Sequence, residues 1–137
     1  ESPVQGALSR NGDSLYIISE FSTVLLVVDT RSLEISGRIF IGGNATSVKT
    51  DSRSNRVYVA KTTGEVVIVD PSTEMFIDNF AVEHGADFIT IEGEENVLLV
   101  LATAGNRIHK LNLVSKRKLA DMDTEDGGHA LVVMGQL

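Results

Sequence analysis

Short runs of apolar and β-branched residues alternate with polar turns along the whole chain. In the middle of the sequence, residues 57–60 are followed by a turn at 62–64 and by a second run at 65–69. Gly64 supplies the positive φ that a tight hairpin requires. Asp70 and the proline after it predict a second turn, because Asp accepts hydrogen bonds from nearby amides and Pro fixes φ. The pattern therefore predicts consecutive antiparallel strands, since no window has a sustained helical period.

The same unit occurs three times, about 41 residues apart. The matching segments are 14–34, 56–74 and 96–116. One column of this alignment holds Tyr16, Tyr58 and Leu99, and another holds Asp29, Asp70 and Asn112. A further candidate strand precedes each unit, at 4–9, 46–50 and 87–91, and an outgoing strand follows it, at 76–82 in the second repeat. Each period thus holds four strands, and a fixed period of this length predicts an array of one supersecondary unit.

The two middle strands of a unit are apolar at consecutive positions. Residues 25–28 and 97–101 do not alternate, so we expect them to be buried on both faces. The outgoing strand alternates better, and in the first repeat it is expected to place Ile35, Ile39 and Ile41 on one face. Buried middle strands and a wetter outer strand are typical of four-stranded sheets packed around an axis. We therefore predict an all-β fold made of β-propeller blades of four antiparallel strands.

The predicted blades form a single β-propeller domain over residues 1–137. They cover approximately 3–41, 42–82 and 83–124, and residues 128–134 are expected to start a further blade. Complete propellers have about four to eight blades, so three would leave apolar faces at both ends of the arc. The chain is then either a piece of a longer propeller or half of a ring completed by a second copy, packed head to tail. We favour a homodimer of the second kind.

The repeats resemble the YVTN family of β-propeller repeats. The Val-Tyr-Val-Ala segment at 57–60 matches the core signature of that family, 68–71 matches its Val-Ile-Asp strand and turn, and 7–12 matches its first strand and turn. The third repeat departs from the pattern at Leu99 and Asn112. The resemblance implies a surface-layer or periplasmic protein of a bacterium or archaeon. The lack of Trp argues against WD repeats and quinoprotein blades.

Composition excludes several classes of partner. The net charge is −7, and the one dense basic run, 116–118, falls in a predicted turn. A nucleic-acid-binding domain would carry a basic stripe, so we expect none to bind. No apolar run approaches the 18 or so residues of a membrane span, so we expect no membrane insertion. The absence of cysteine excludes disulfides, thiolate metal sites and a Cys nucleophile. The chain begins without Met, which suggests a trimmed or mature fragment whose signal peptide would leave no trace.

Histidines are the candidate cofactor ligands. His84 and His129 lie next to strands that begin a blade, beside the expected central channel, where some propellers hold a metal or haem. The alternative is that both are ordinary loop residues, and we predict no resident cofactor. His109 alternates with apolar neighbours on a strand, and no partner spacing supports a metal site there.

An acidic segment near the C-terminus is the candidate metal site. Its carboxylates could bind calcium, which prefers oxygen ligands. They are Asp121, Asp123, Glu125 and Asp126. The spacing does not fit an EF-hand, because position 6 of such a loop would be an acid where glycine is required. The alternative is a solvated loop between blades.

No catalytic motif is present: there is neither a Gly-x-Ser-x-Gly elbow nor a glycine-rich phosphate loop. We therefore predict a non-catalytic scaffold for protein or ligand binding at the cell surface or in the periplasm. The expected contact loops lead into each blade, at 42–46, 83–87 and 126–129. Two alternatives stay open. The chain could be the propeller part of a cofactor-bearing oxidoreductase or lyase, or a purely architectural module for self-assembly.

Overall fold

The computed structural model describes residues 3–51, 53–82, 85–92, 96–102 and 107–123. Within these residues the chain forms twelve strands in three four-stranded antiparallel sheets, each in simple up-and-down order, and no helix. The prediction of an all-β fold with four strands per repeat is confirmed. The expected start of a further blade, 128–134, lies outside the described residues. No helix in the described part of the chain is long and apolar enough to cross a membrane.

The strands follow the repeats in chain order. Sheet 1 contains β1 (Pro3–Leu8), β2 (Ser14–Ser19), β3 (Val24–Asp29) and β4 (Ile35–Phe40). Sheet 2 contains β5 (Ala45–Asp51), β6 (Arg56–Lys61), β7 (Glu65–Asp70) and β8 (Met75–Ala81). Sheet 3 contains β9 (Phe88–Glu92), β10 (Val97–Ala102), β11 (Arg107–Asn112) and β12 (Lys118–Asp123).

The sheets stack face to face through two apolar cores. In the first core, sheet 1 contributes Tyr16, Ile18, Leu25 and Val27, and sheet 2 contributes Val57, Val59, Val67 and Val69. In the second core, sheet 2 contributes Tyr58, Ala60, Val66 and Ile68, and sheet 3 contributes Ile89, Leu98, Val100 and Leu111. In both contacts the face that carries the tyrosine packs on the next sheet along the chain, and sheet 2 therefore packs through both of its faces. Burial of each such aliphatic side chain contributes about 1.5–3 kcal/mol.

Burial on both faces is confirmed for residues 97–101, of which only Leu99 is half-buried. It also holds for the middle strands of sheet 2, because that sheet lies between two others. The prediction is wrong for half of residues 25–28. Leu25 and Val27 are buried against sheet 2, but Leu26 and Val28 point the other way and are only half-buried. No sheet among the described residues covers that side of sheet 1. The apolar side chains of Leu26 and Val28 are therefore suited to packing against another sheet, but no described sheet covers them.

The outer strand of each sheet carries a β-bulge at an equivalent position. In sheet 1, Val27 pairs with Gly37 but Val28 pairs with Ile35, so Ser36 is an extra residue. The same shift occurs between β7 and β8 and between β11 and β12. An extra residue reverses the alternation of side chains. Our expectation that Ile35 shares a face with Ile39 is therefore wrong: Ile39 is buried, and Ile35 is 46% exposed on the opposite face.

The turn after the third strand of each sheet is built in one way. The Asp29 carboxylate accepts hydrogen bonds from the amides of Arg31 and Ser32, at 2.8 and 3.0 Å. Asp70 accepts from the amide and hydroxyl of Ser72. In the third repeat the side-chain oxygen of Asn112 accepts from two amides at 2.8 and 2.9 Å. The departure from the family pattern at this column therefore keeps the same acceptor, which is what the turn requires.

In each of these turns, the residue four positions after the capping residue has a positive φ. The residues are Leu33, Glu74 and Lys116, with φ near 60°. Asp51 and Asn55 form the same pair in the turn after the first strand of sheet 2. In three of the four turns the amide of the fifth residue donates to the carbonyl of the first at 2.8 Å. We call this arrangement the capped turn.

The innermost strands of the three sheets lie side by side and are joined by polar side chains. The Gln5 side-chain oxygen accepts hydrogen bonds from the Ser47 hydroxyl and from the Val48 amide, at 3.0 and 2.7 Å. Ser47 is fully buried and also accepts from the amide of Ile89, at 3.4 Å. These contacts run from sheet 1 through sheet 2 to sheet 3. They join the innermost edges of the three sheets.

Candidate functional site

The turns and linkers between strands lie on two faces of the stack. The upper face holds the turns 20–23 and 62–64 and the linkers 41–44 and 85–87. The lower face holds 9–13, 30–34, 53–55, 71–74 and 113–117. Backbone hydrogen bonds tie the loops of the upper face to one another: the Gly42 amide donates to the Thr23 carbonyl at 3.1 Å, and the Thr62 amide donates to the Asn44 carbonyl at 3.0 Å.

The predicted contact loops fall on the upper face as far as the structure describes them. Residues 42–46 are described in full, 83–87 only from Gly85 onward, and 126–129 lie outside the described residues. The candidate ligands His84, His129, Glu125 and Asp126 also lie outside them. Asp121 and Asp123 belong to β12, but their side chains are not described. Within the described residues no group of three or more His, Asp or Glu side chains is arranged to hold a metal ion.

A shallow cleft of about 150 Å³ lies on the upper face. Its lining residues come from the first hairpin of sheet 1, the linker into sheet 2 and the first hairpin of sheet 2: Glu20, Phe21, Asn44, Ala45 and Thr62. One wall therefore belongs to the predicted contact loop 42–46. The other wall is an aromatic side chain that sequence reasoning did not single out.

Phe21 is 94% exposed, although it is a large apolar residue. Its φ is 63°, and it occupies the third position of a four-residue turn closed by a hydrogen bond from the Ser22 amide to the Ser19 carbonyl at 3.2 Å. Glycine or Asn is the usual residue where a turn requires positive φ. A bulky residue at such a position is uncommon, although Leu33 of the first capped turn is a second exposed apolar residue with a similar φ of 59°. The sequence signal was a phenylalanine in a hairpin turn.

An ion pair lies at the upper face of sheet 2, beside the turn between β6 and β7. The Lys61 ammonium lies 3.0 Å from a Glu65 carboxylate oxygen and its side chain is only 9% exposed. The contact with Lys61, followed by a hydrogen bond from Asn79, lowers the pKa of Glu65. The Lys61 carbonyl accepts from the amides of Gly64 and Ala86. The charge of the Lys61 ammonium is therefore balanced by the Glu65 carboxylate beneath the loops.

A wider polar groove of about 300 Å³ lies on the lower face between sheets 1 and 2. Its lining is mostly hydroxyl and amide groups, with Tyr16 at its base: Ser9, Asn11, Asp13, Ser14, Tyr16, Val27, Asn55, Pro71 and Ser72. Burial is the main cause that raises the pKa of Tyr16 above its ordinary value. Asp13 contacts Arg31 at 3.5 Å, and both side chains are largely exposed.

His109 is buried between sheets 2 and 3, with 1% of its surface exposed. It pairs with Val100, just as Leu26 pairs with Ile17 and Val67 with Val59. It thus occupies a column that is aliphatic in the other repeats. A cavity of about 180 Å³ adjoins it, lined also by Ala81, Val82, Leu111, Lys116 and Lys118. His109 is therefore part of the core between sheets 2 and 3.

The face of sheet 1 that points away from sheet 2, here called the far face, is mostly apolar. Arg38, which pairs with Leu26, is a charged residue on this face. Its apolar residues are Leu8, Leu15, Ile17, Val24, Leu26, Val28, Ile35 and Phe40. Three of them are exposed, Leu8 by 54%, Ile35 by 46% and Phe40 by 72%, and the rest are half-buried. Apolar patches of this kind mark interaction surfaces.

Comparison with known proteins supports the fold. No family model matches the chain, and neither does any curated protein. Among solved structures, Kuenenia stuttgartiensis hydrazine synthase is similar over 93% of this chain and 37% of its own, with a TM-score of 0.83 and 19% identity. The WD40 repeats of RRP9 match 94% of this chain and 41% of their own, with a TM-score of 0.82 and 8% identity.

A third similar structure is the dihydro-heme d1 dehydrogenase NirN in complex with DHE, which covers 90% of this chain and 28% of its own, with a TM-score of 0.76 and 16% identity. The chain thus spans about two fifths or less of each of these proteins. At such identities the likeness concerns the fold alone. The three stacked four-stranded sheets are blades of a β-propeller.

Proposed function

We propose that this chain is a non-catalytic β-propeller scaffold that binds a protein partner, and that a second copy of the chain is bound through the far face of sheet 1. The observation that carries the proposal is the equivalence between that face and the buried face of sheet 2. Ile17 and Leu26 correspond to Val59 and Val67, which are 0% and 1% exposed because sheet 1 covers them.

The internal contact between sheets 1 and 2 indicates what the far face is shaped to receive. There, a face carrying the tyrosine column packs on a face of five valines. The corresponding face of sheet 3 carries Leu99, Leu101 and Ile108. A second copy that brings this face to sheet 1 continues the stack in the same direction. Such a head-to-tail contact closes into a ring when the rotation between blades allows it.

The test is the solution mass of the purified chain over a range of concentrations, by light scattering after size exclusion. We expect a mass near twice the 14.8 kDa chain. Leu26→Lys should give a folded monomer, because it places a charge in the contact. Ser32→Lys adds the same charge on an exposed turn and should leave the dimer intact. A wild-type monomer at every concentration, or equal masses for the two variants, would overturn the proposal.

The extracytoplasmic setting is part of the proposal and is supported by the likeness of the repeats to the YVTN family. Fractionation of the source cells tests it: the chain should be released with the periplasmic or surface fraction. Recovery with the cytosolic fraction would contradict this part alone.

A second candidate function, the propeller part of a cofactor-bearing oxidoreductase or lyase, is favoured by one observation. Two structural neighbours bear the names of enzymes, a hydrazine synthase and a dihydro-heme d1 dehydrogenase. Visible absorption or a stoichiometric metal in protein from its native source would support it. His84→Ala and His129→Ala should then each reduce that signal.

A further inference from the structure

The upper face presents an aromatic side chain at a turn position whose positive φ a bulky residue does not favour. Phe21 is 94% exposed at a φ of 63°. Its ring therefore does not repay the unfavourable backbone conformation by packing into the core. Sparsely populated backbone conformations cost about 1–3 kcal/mol and persist where the surroundings fix them.

Hydrogen bonds and burial fix the backbone on both sides of Phe21. The flanking Ser19 and Ser22 are both 7% exposed, and the Ser22 amide closes the turn. The Ser22 hydroxyl also accepts a hydrogen bond from the Val24 amide at 3.2 Å. The next carbonyl, of Thr23, accepts from two amides of the linker into sheet 2. The backbone that carries the ring is thus fixed beside the cleft before any partner arrives, which reduces the entropy lost on binding.

The charges around the ring favour a cation. Glu20 precedes Phe21 and lines the same cleft, and the whole chain carries a net charge of −7. The neighbouring cation, Lys61, is buried and paired with Glu65 at 3.0 Å. A planar cation can stack on the face of a phenyl ring while a carboxylate contacts its edge.

We propose that Phe21 and Glu20 form a docking point for an arginine side chain of a protein partner, with Asn44 and Thr62 as the opposite wall of the cleft. The aromatic ring provides the stacking surface and the carboxylate provides the charge that selects guanidinium over a neutral side chain. The inference rests on the proposed function in one respect only, namely that the partner is a protein.

The test is an amide NMR titration of the intact chain with N-acetyl-arginine methylamide. The matched control probe is the citrulline compound, which has the same shape without the charge. We expect shifts confined to residues 20–23, 44–45 and 62. Citrulline should bind about two- to five-fold more weakly, as expected for one cation–π contact at an exposed site.

Phe21→Gly should abolish the arginine response without lowering the melting temperature, because glycine adopts positive φ readily. Phe21→Asn should likewise abolish the arginine response, and it retains a side chain. Glu20→Gln should weaken the binding of the arginine compound but not of the citrulline compound. No localised shifts, an equal response to the two probes, or a response retained in Phe21→Gly would each overturn the inference. The solution mass should be unchanged in these variants, so failure here is distinguishable from failure of the self-association proposal.

Discussion

At the scale of single residues, the capping side chains of the turns are chemically uneven. Asp29 and Asp70 are ionisable, whereas Asn112 does the same work without a charge. Hydrogen bonds from the Ser32 and Arg31 amides lower the pKa of Asp29, and the Ser72 hydroxyl and amide lower that of Asp70. Both ordinary values are 3.8.

A depressed pKa in the folded state fixes the sign of the pH effect. The stabilisation from Asp29 and Asp70 is fully present above their ordinary pKa of 3.8 and is lost as the pH falls through the lower folded values. We expect the double variant Asp29→Asn, Asp70→Asn to lose less stability on acidification than the wild type, because Asn keeps the acceptor. Urea unfolding midpoints between about pH 5 and about pH 2 measure this difference.

Asn112→Asp is the reverse control. It places an ionisable carboxylate in the third turn, so the free energy of unfolding should depend more steeply on pH. If the Asn variants and the wild type lost stability in parallel over this range, the capping role of the two carboxylates would be contradicted.

At the scale of elements, the contact between the innermost strands depends on one amide side chain. Gln5 accepts two hydrogen bonds from β5, one from the buried Ser47 and one from the Val48 amide. Gln5→Ala leaves both donors without this acceptor. We expect it to lower the free energy of unfolding by about 1–3 kcal/mol.

Thr50→Val is the matched control for Gln5→Ala. Thr50 also bridges the two strands, through a hydrogen bond to the Leu8 carbonyl at 2.8 Å, but that bond is exposed. We expect a loss of about 1 kcal/mol or less. Denaturant unfolding of both variants makes the comparison, and equal losses would mean that burial of the Gln5 contact is unimportant.

The sequence predicts strands and turns well at this scale because they depend on local chemistry. Apolar runs predict the strands, and Gly64 and the capping residues predict the turns. The bulge at Ser36 depends on pairing with a neighbouring strand, so the period-two pattern misplaces Ile35. The predicted burial of Leu26 is wrong for a similar reason. Its apolar character shows that it can be buried, but whether another sheet covers it depends on the packing of the sheets.

The candidate site was predictable only in part. Linker 42–46 could be proposed from its place before a strand, and it does form one wall of the cleft. Phe21 belongs to no periodic pattern, and its importance arises from its backbone angle and exposure together. Neither quantity can be obtained from residue identity alone.

At the scale of the whole molecule, the two ends of the stack differ. The face of sheet 3 that carries Leu99 has Lys110 in the column that holds Val27 and Ile68 in the other repeats. A contact between copies that includes this lysine should be weaker than the internal contacts, because burial of a charge is costly. We therefore expect a dimer that dissociates on dilution.

Lys110→Ile should strengthen that association. We expect its dissociation constant, measured by sedimentation velocity, to fall by about ten-fold or more, the size of effect given by one buried aliphatic side chain. Lys49→Ile, on an innermost strand, is the control for added hydrophobicity and should have less effect. Unchanged association in Lys110→Ile would place the contact elsewhere.

The capped turn has a consequence for how this protein can change. Its shape depends on an acceptor at the first position and a positive φ at the fifth, where Leu33, Glu74 and Lys116 all occur. Most of the residues between these positions are exposed. Lower-face turns could therefore be exchanged among repeats, or diversified in a library, with little effect on folding. One surface of the molecule is open to rapid divergence while the blades beneath it stay constant.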